Sequence, residues 1–416
     1  MSELIDNRAR RIDTLKNIIL RLHRGDPPEA VRGQLARLVG EVDSTEIAAM
    51  EQQLMAEGMT VREVQSMCDL HAQVLRDITM TRSVPGGVDP GHPVDTFRRE
   101  NQALGDTIAA VRTHLAELAA APDLTAARAG LDACRAQVHL LFDVDRHYQR
   151  KEHLLFSCLE RHGITGPSKV MWAKDDEVRT RVKAAAAALA SLDPAGADAL
   201  AVVAVRIDEA LRSIADMIAK EERILLPMAL DTLTADEWGE IWHSSPRYGW
   251  CLVEPRVGYR PPETAGPVQP IDVPEGREIR FSTGHATFEQ LAAIFRSLPV
   301  DLTFVDASDR VAFYTEGPDR VFARSRAIIG REVQHCHPPR SVSTVDRILD
   351  DFRHGRQDVA EFWIDFRGRF VHIRYFAVRS EAGEYLGCLE VTQDVTAIRA
   401  LEGERRLLQY DSPVAH

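Results

Sequence analysis

Two near-matching phrases about seventy residues apart constrain this chain more than any other feature of it. Residues 147–156 read His-Tyr-Gln-Arg-Lys-Glu-His-Leu-Leu-Phe, and residues 217–227 read Met-Ile-Ala-Lys-Glu-Glu-Arg-Ile-Leu-Leu-Pro. Each sets charged, metal-capable side chains one turn before an apolar run that must face a core. Both phrases therefore predict helices that carry candidate chemistry toward a packed interior.

The chain has 416 residues, too many for one ordinary core, so two or three domains are expected. A charged fraction of 27% and a hydrophobic fraction of 44% belong to a globular protein. The net charge of −12 excludes non-specific nucleic-acid binding, which needs a basic surface. The start Met-Ser-Glu-Leu-Ile-Asp lacks the basic and apolar stretches of a signal peptide, and no run reaches membrane-span length. A cytoplasmic location is expected. The six cysteines are scattered with no CxxC pair, which predicts reduced, mostly buried thiols.

Residues 1–82 read as an all-helical domain, with Leu15, Ile18, Ile19 and Leu22 at helical spacing. Residues 83–91 form a Pro- and Gly-rich linker. Helical segments follow at roughly 92–119, 125–162, 168–192 and 196–230, with short connections that predict an up-down bundle. A capped closing helix near 233–238 ends this domain at about 243. Prolines and glycines crowd 245–275, so 244–280 is expected to be an interdomain linker. From 281 to 400 the period becomes that of strands. Two are predicted near 302–314, three more at 359–366, 370–378 and 385–391, with helix between them at 343–353. The expected fold class is multidomain: all-α, then a four-helix bundle, then α/β.

With His92 opening an earlier helix, the two phrases resemble the hemerythrin-like (HHE cation-binding) four-helix bundle, whose carboxylates and imidazoles hold two iron ions between helices. Met67-Cys68-Asp69-Leu70-His71 resembles the bacterial family called domain of unknown function 438, which precedes such bundles. The two-strand, helices, three-strand order, ending Val391-Thr-Gln-Asp-Val-Thr, resembles a PAS domain. The hemerythrin pattern supplies a histidine and a glutamate four apart, twice, plus lone histidines on the remaining helices. His147 fits the first histidine, but Lys151 stands four on; Glu152 is five on, about 140° round an α-helix. Glu221 fits the second glutamate, with Met217 in its histidine slot, and Asp175 lies where a third-helix histidine is expected. The resemblance thus implies a metal set of His92, His147, Glu152, Asp175 and Glu221, with Glu100 two turns after His92.

Other groupings carry chemistry by residue type. His139, Asp143 and His147 are spaced i, i+4, i+8 along one helix. Cys68 and His71 form a soft i, i+3 pair. His335-Cys336-His337 precedes a helix of the PAS-like region, and imidazole and thiolate both ligate haem iron. His372 and Arg374 share a strand face that suits an anion.

Three functions stay open. One is a sensory or regulatory protein whose non-haem iron bundle responds to O₂, NO or redox state and is coupled to the PAS-like domain. A short charged helix, 396–409, is expected after that domain, so this reading expects a homodimer or protein partner to receive the signal. The second is a di-iron oxidoreductase or iron-centre repair protein acting on NO or peroxide, which needs open coordination positions. The third is a metal-free interaction scaffold.

Overall fold

The computed structural model describes residues 87–121, 124–192, 197–262, 278–317, 320–404 and 406, with a few before residue 60 (13, 14, 16–18, 21, 53, 54 and 57–59). Cys68 and His71, with most of the expected domain 1–82, lie outside the described residues. The chain divides into two compact units: Met1–Pro270 with Arg324–Ser343, and Ile271–Ala323 with Thr344–His416.

The first unit holds the expected bundle. Helix α1, Pro93–Ala119, starts where proline supplies a helical φ and needs no N–H partner, and Asp95 complements the positive end of the helix. The second helix changes its winding along its length. It runs as α2 (Leu124–Leu140), a 3₁₀ turn (Leu141–Asp143), α3 (Val144–Arg150), a π turn (Lys151–Leu155) and α4 (Phe156–Arg161). Helix α5 covers Gly166–Ala190. The fourth, α6 (Ala197–Lys220), passes through another π turn, Glu221–Leu225, into α7 (Leu226–Thr232). Each sequence phrase therefore contains a π turn. A π turn takes one more residue per hydrogen-bonded ring than an α turn, and often marks a functional position. Helix α8, Ala235–Ser244, closes the bundle with a capping box between Thr234 and Glu237. Phe97, Leu104 and Val111 of α1 are buried, as are Val178 and Val182 of α5 and Ile207, Leu211 and Ile214 of α6.

The Pro-rich stretch departs from expectation. Its described part, 245–262, folds back against the bundle instead of running free. Tyr248 and Cys251 are buried, and Arg256 pairs with Asp95 of α1. The Tyr259 N–H donates to the Pro90 carbonyl at 2.6 Å. The backbones cross so closely that a Cβ on Gly91 would lie 2.0 Å from the Arg256 carbonyl oxygen, and one on Gly258 2.7 Å from that of Pro90. Proline and glycine bar helix and central strand, but they do not bar burial.

The second unit begins with the hairpin β1 (Glu278–Phe281) and β2 (Gly284–Thr287), leading into α9 (Phe288–Ser297). A five-stranded antiparallel sheet follows, ordered β4-β3-β7-β6-β5. Its strands are β3 (Asp301–Asp306), β4 (Val311–Tyr314), β5 (Val359–Phe366), β6 (Arg369–Arg379) and β7 (Tyr385–Asp394), with α10 (Pro339–Arg353) between β4 and β5. Phe304 pairs with Leu389, and Ile373 with both Phe362 and Thr392. Val305, Val371 and Cys388 are buried together with Leu349 and Phe352 of α10. After β7, helix α11 spans Thr396–Arg399; part of the expected charged helix, 405 and 407–409, lies outside the described residues.

Candidate metal centre of the bundle

Charged residues on the apolar faces of the bundle helices converge on one buried network. Glu100 lies between Phe97 and Leu104 on the inner face of α1; Asp175 lies likewise between Trp172 and Val178 on α5. The π turn at 151–155 follows α3 so that Arg150, Lys151 and Glu152 are all buried in succession. Four carboxyl groups, from Glu100, Glu152, Asp175 and Glu221, thus enter a core that must also supply their partners.

His147 is completely buried, with Nδ1 2.8 Å from Glu100 and Nε2 2.9 Å from Glu221. Carboxylates only accept, so both ring nitrogens donate and the imidazole is cationic. Burial alone would lower its pKa, but the two carboxylates overcome this and raise it. Glu100 also accepts from the Arg150 guanidinium and, at 2.7 Å, from the Cys251 N–H of the folded-back stretch. The Arg150 guanidinium lies 4.9 Å from the centre of the Phe97 ring and 4.7 Å from that of Trp250.

Lys151 sits on the other side of Glu221. Its ammonium donates to Asp175 at 2.7 Å and to Glu221, and lies 4.1 Å from the centre of the Tyr148 ring. Burial would raise the Glu221 carboxyl, but Lys151 and His147 draw it down to about 2. Arg179 of α5 grips Glu152 with two bonds, 2.8 and 2.9 Å, and reaches Asp145 at 2.8 Å. Burial nevertheless pushes Glu152 up, and Asp175, which faces both Lys151 and Glu152, further still.

Of the expected set, His147, Glu152, Asp175 and Glu221 come together. His92 caps α1 instead. Its Nδ1 accepts the Val94 N–H at 3.1 Å, its ring packs 4.9 Å from Trp238 and 4.7 Å from Tyr259, and burial lowers its pKa to about 4. The i, i+4, i+8 stripe does not form: the 3₁₀ turn intervenes, His139 is exposed and His147 is buried. Met217, one turn before Glu221, is a core side chain. His335, Cys336 and His337 belong to the stretch that clusters with the bundle, not to the sheet-bearing unit. His335 lies 3.7 Å from Glu160, and the His337 ring donates to the Val333 carbonyl at 2.8 Å. His372 bonds Glu361 across the sheet.

Glu100 was visible two turns after His92, and its place on the apolar stripe of α1 was the signal for it. Arg150 and Arg179 offered none, because their partners stand on other helices.

These residues do not fit a metal in this arrangement. Each carboxyl group already faces a protein cation or the imidazole, and neither His147 nitrogen keeps a lone pair to donate. Among the described residues, no group of three or more His, Cys, Asp or Glu is disposed to hold a metal ion.

The bundle with its buried acid–base core, and the β4-β3-β7-β6-β5 sheet beside α10, define a helical bundle protein carrying a PAS-type fold. Residues 92–229 match the family described as hemerythrin HHE cation binding domain, 291–396 match PAS domain, and 15–80 match a family of unknown function, DUF438. The chain therefore joins DUF438, hemerythrin-like and PAS segments in that order. No curated protein matches it. Among solved structures, the chain is similar to the C-terminal domain of a protein from Streptococcus mutans, at 32% identity over 30% of this chain and 98% of that one, with a TM-score of 0.29. It is also similar to a PAS domain from Colwellia psychrerythraea, at 16% identity over 26% of this chain and 97% of that one, with a TM-score of 0.22.

Proposed function

We propose that this chain is a sensory or regulatory protein in which the hemerythrin-like bundle and the PAS domain share one structural element, residues 324–343. The two family matches support a regulatory protein in general. The observation that carries the finer reading is Arg331. This residue lies inside the PAS match, yet its side chain is buried in the bundle's unit. It donates to Glu160 at 2.6 and 2.8 Å and to the backbone carbonyl of Glu152, within the π turn, at 3.2 Å. A change that shifts 324–343 in the sequence of the PAS domain would alter the support of the π turn carrying Lys151 and Glu152. In the full chain, Arg331→Ala should raise amide hydrogen exchange across 151–160. Unchanged exchange there would refute the shared element.

A second reading rests on the cation-binding family match alone and requires His147 and the buried carboxyl groups to give up their present partners: non-haem iron in the bundle responds to O₂, NO or redox state, with a homodimer or partner protein receiving the signal. Metal analysis and an absorption spectrum of protein purified without oxygen test it. About two irons per chain would support it, as a di-iron site requires. A Soret band would point to haem.

A further inference from the structure

We infer that Lys151 is the resident cation of this bundle, its ammonium supplying the positive charge that a metal supplies in a cation-binding bundle. The inference rests on the bundle's own geometry and stands apart from any role of residues 324–343. Lys151 is 1% exposed, on the π turn, shut off from bulk solvent. Its charge is met by Glu221, and Asp175 accepts a second hydrogen bond at 2.7 Å, with the Tyr148 ring face beside it. These carboxylates come from α5 and the fourth helix, so the ammonium ties three helices at one point, as a bridging ion would. Arg150 on Glu100 and Arg179 on Glu152 repeat the arrangement with cations fixed to the chain.

The physical consequence is exclusion. A divalent ion entering between Asp175 and Glu221 would have to displace a buried, hydrogen-bonded ammonium, or approach it at close range against like charge. The same carboxylates become available once the ammonium is gone. The position between Asp175 and Glu221 is therefore closed to metals by one side chain, and removing that side chain should open it.

The test uses the full chain, purified without oxygen, and Co(II) as the probe, read by visible absorption and by thermal unfolding. Wild type should take up no stoichiometric Co(II), and its Tm should be the same with Co(II) or with a chelator. Lys151→Ala should unfold at lower temperature in chelator, bind Co(II) at least about tenfold more tightly than wild type, and recover Tm as Co(II) is added. The charge-balanced variant Lys151→Met with Glu221→Gln should fold without metal and show no Co(II) response. Uptake of one or more Co(II) per wild-type chain would overturn the inference. So would a folded Lys151→Ala chain whose Co(II) affinity and Tm match wild type. If Lys151→Ala does not fold, Lys151→Met, which keeps the length of the side chain without its charge, takes its place: tighter Co(II) binding than wild type upholds the inference, and a folded Lys151→Met chain whose Co(II) affinity matches wild type refutes it.

Discussion

Arg179 shows how much a single side chain holds in this core. It makes both bonds to Glu152, which is otherwise enclosed by protein. Removing one partner of a buried pair leaves the other charge uncompensated, at a cost of about 3–5 kcal/mol. Arg179→Ala should therefore destabilise the bundle by that order, and by more at pH 8 than at pH 5, because Glu152 can take up a proton at the lower pH. Urea unfolding at the two pH values checks this; an equal loss at both would contradict it. Glu221 and His147 set opposite limbs of the pH profile. Glu221 is depressed from an ordinary 4.5 to about 2, so its contribution is whole above about pH 4.5 and is lost as pH falls toward 2. His147 is raised, so its contribution is whole below 6.5 and is lost as pH climbs past its higher folded value. Glu221→Gln should flatten the acid limb of unfolding free energy, measured from pH 6 to pH 3, whereas identical acid limbs would count against this account of Glu221.

At the scale of elements, the helices and strands were legible because apolar periodicity is local. The bundle helices start and stop within a few residues of where Leu, Val and Ile recur, and β3 to β7 follow the alternating runs. The winding within a helix was not legible. Counting by the α period puts Glu152 away from the face of His147, whereas the π turn buries Arg150, Lys151 and Glu152 together. Nor can one chain's order of residues tell that Lys151 meets Asp175 and Glu221, since those contacts join separate helices. The Pro-rich stretch misled for a related reason: composition reports what backbone cannot form, not what it packs against. Cys251 donates its N–H to Glu100, and Tyr259 its own to Pro90. Limited proteolysis should accordingly spare 245–262. Early cleavage beside Cys251 would show that this segment does not hold to the bundle in solution.

At the scale of the whole molecule, one stretch of chain, residues 324–343, lies within the PAS match in sequence and is packed with the bundle's unit. A point change at Arg331 should therefore be felt at the π turn, while one at the exposed end of the sheet, such as Trp363→Ala on β5, should leave exchange over 151–160 as it was. A fall in protection there from Trp363→Ala would mean that the path does not run through Arg331.

The crossing of Gly91 and Gly258 has a bearing on how this bundle can be rewired. Pro90 and Tyr259 lie side by side, joined by a backbone hydrogen bond of 2.6 Å, so the stretch that carries the bundle helices begins and ends at one spot. A stretch with adjoining ends behaves as a cassette. It can be joined by a short bridge from 259 to 90 and reopened at the exposed turn around Gly163, whose positive φ suits a chain reversal. The side-chain contacts that link Glu100, His147, Arg150, Lys151, Glu152, Asp175, Arg179 and Glu221 all lie within 90–259, so a permuted chain that keeps the Arg331 contact should keep the same acid–base core with its helices strung in a different order.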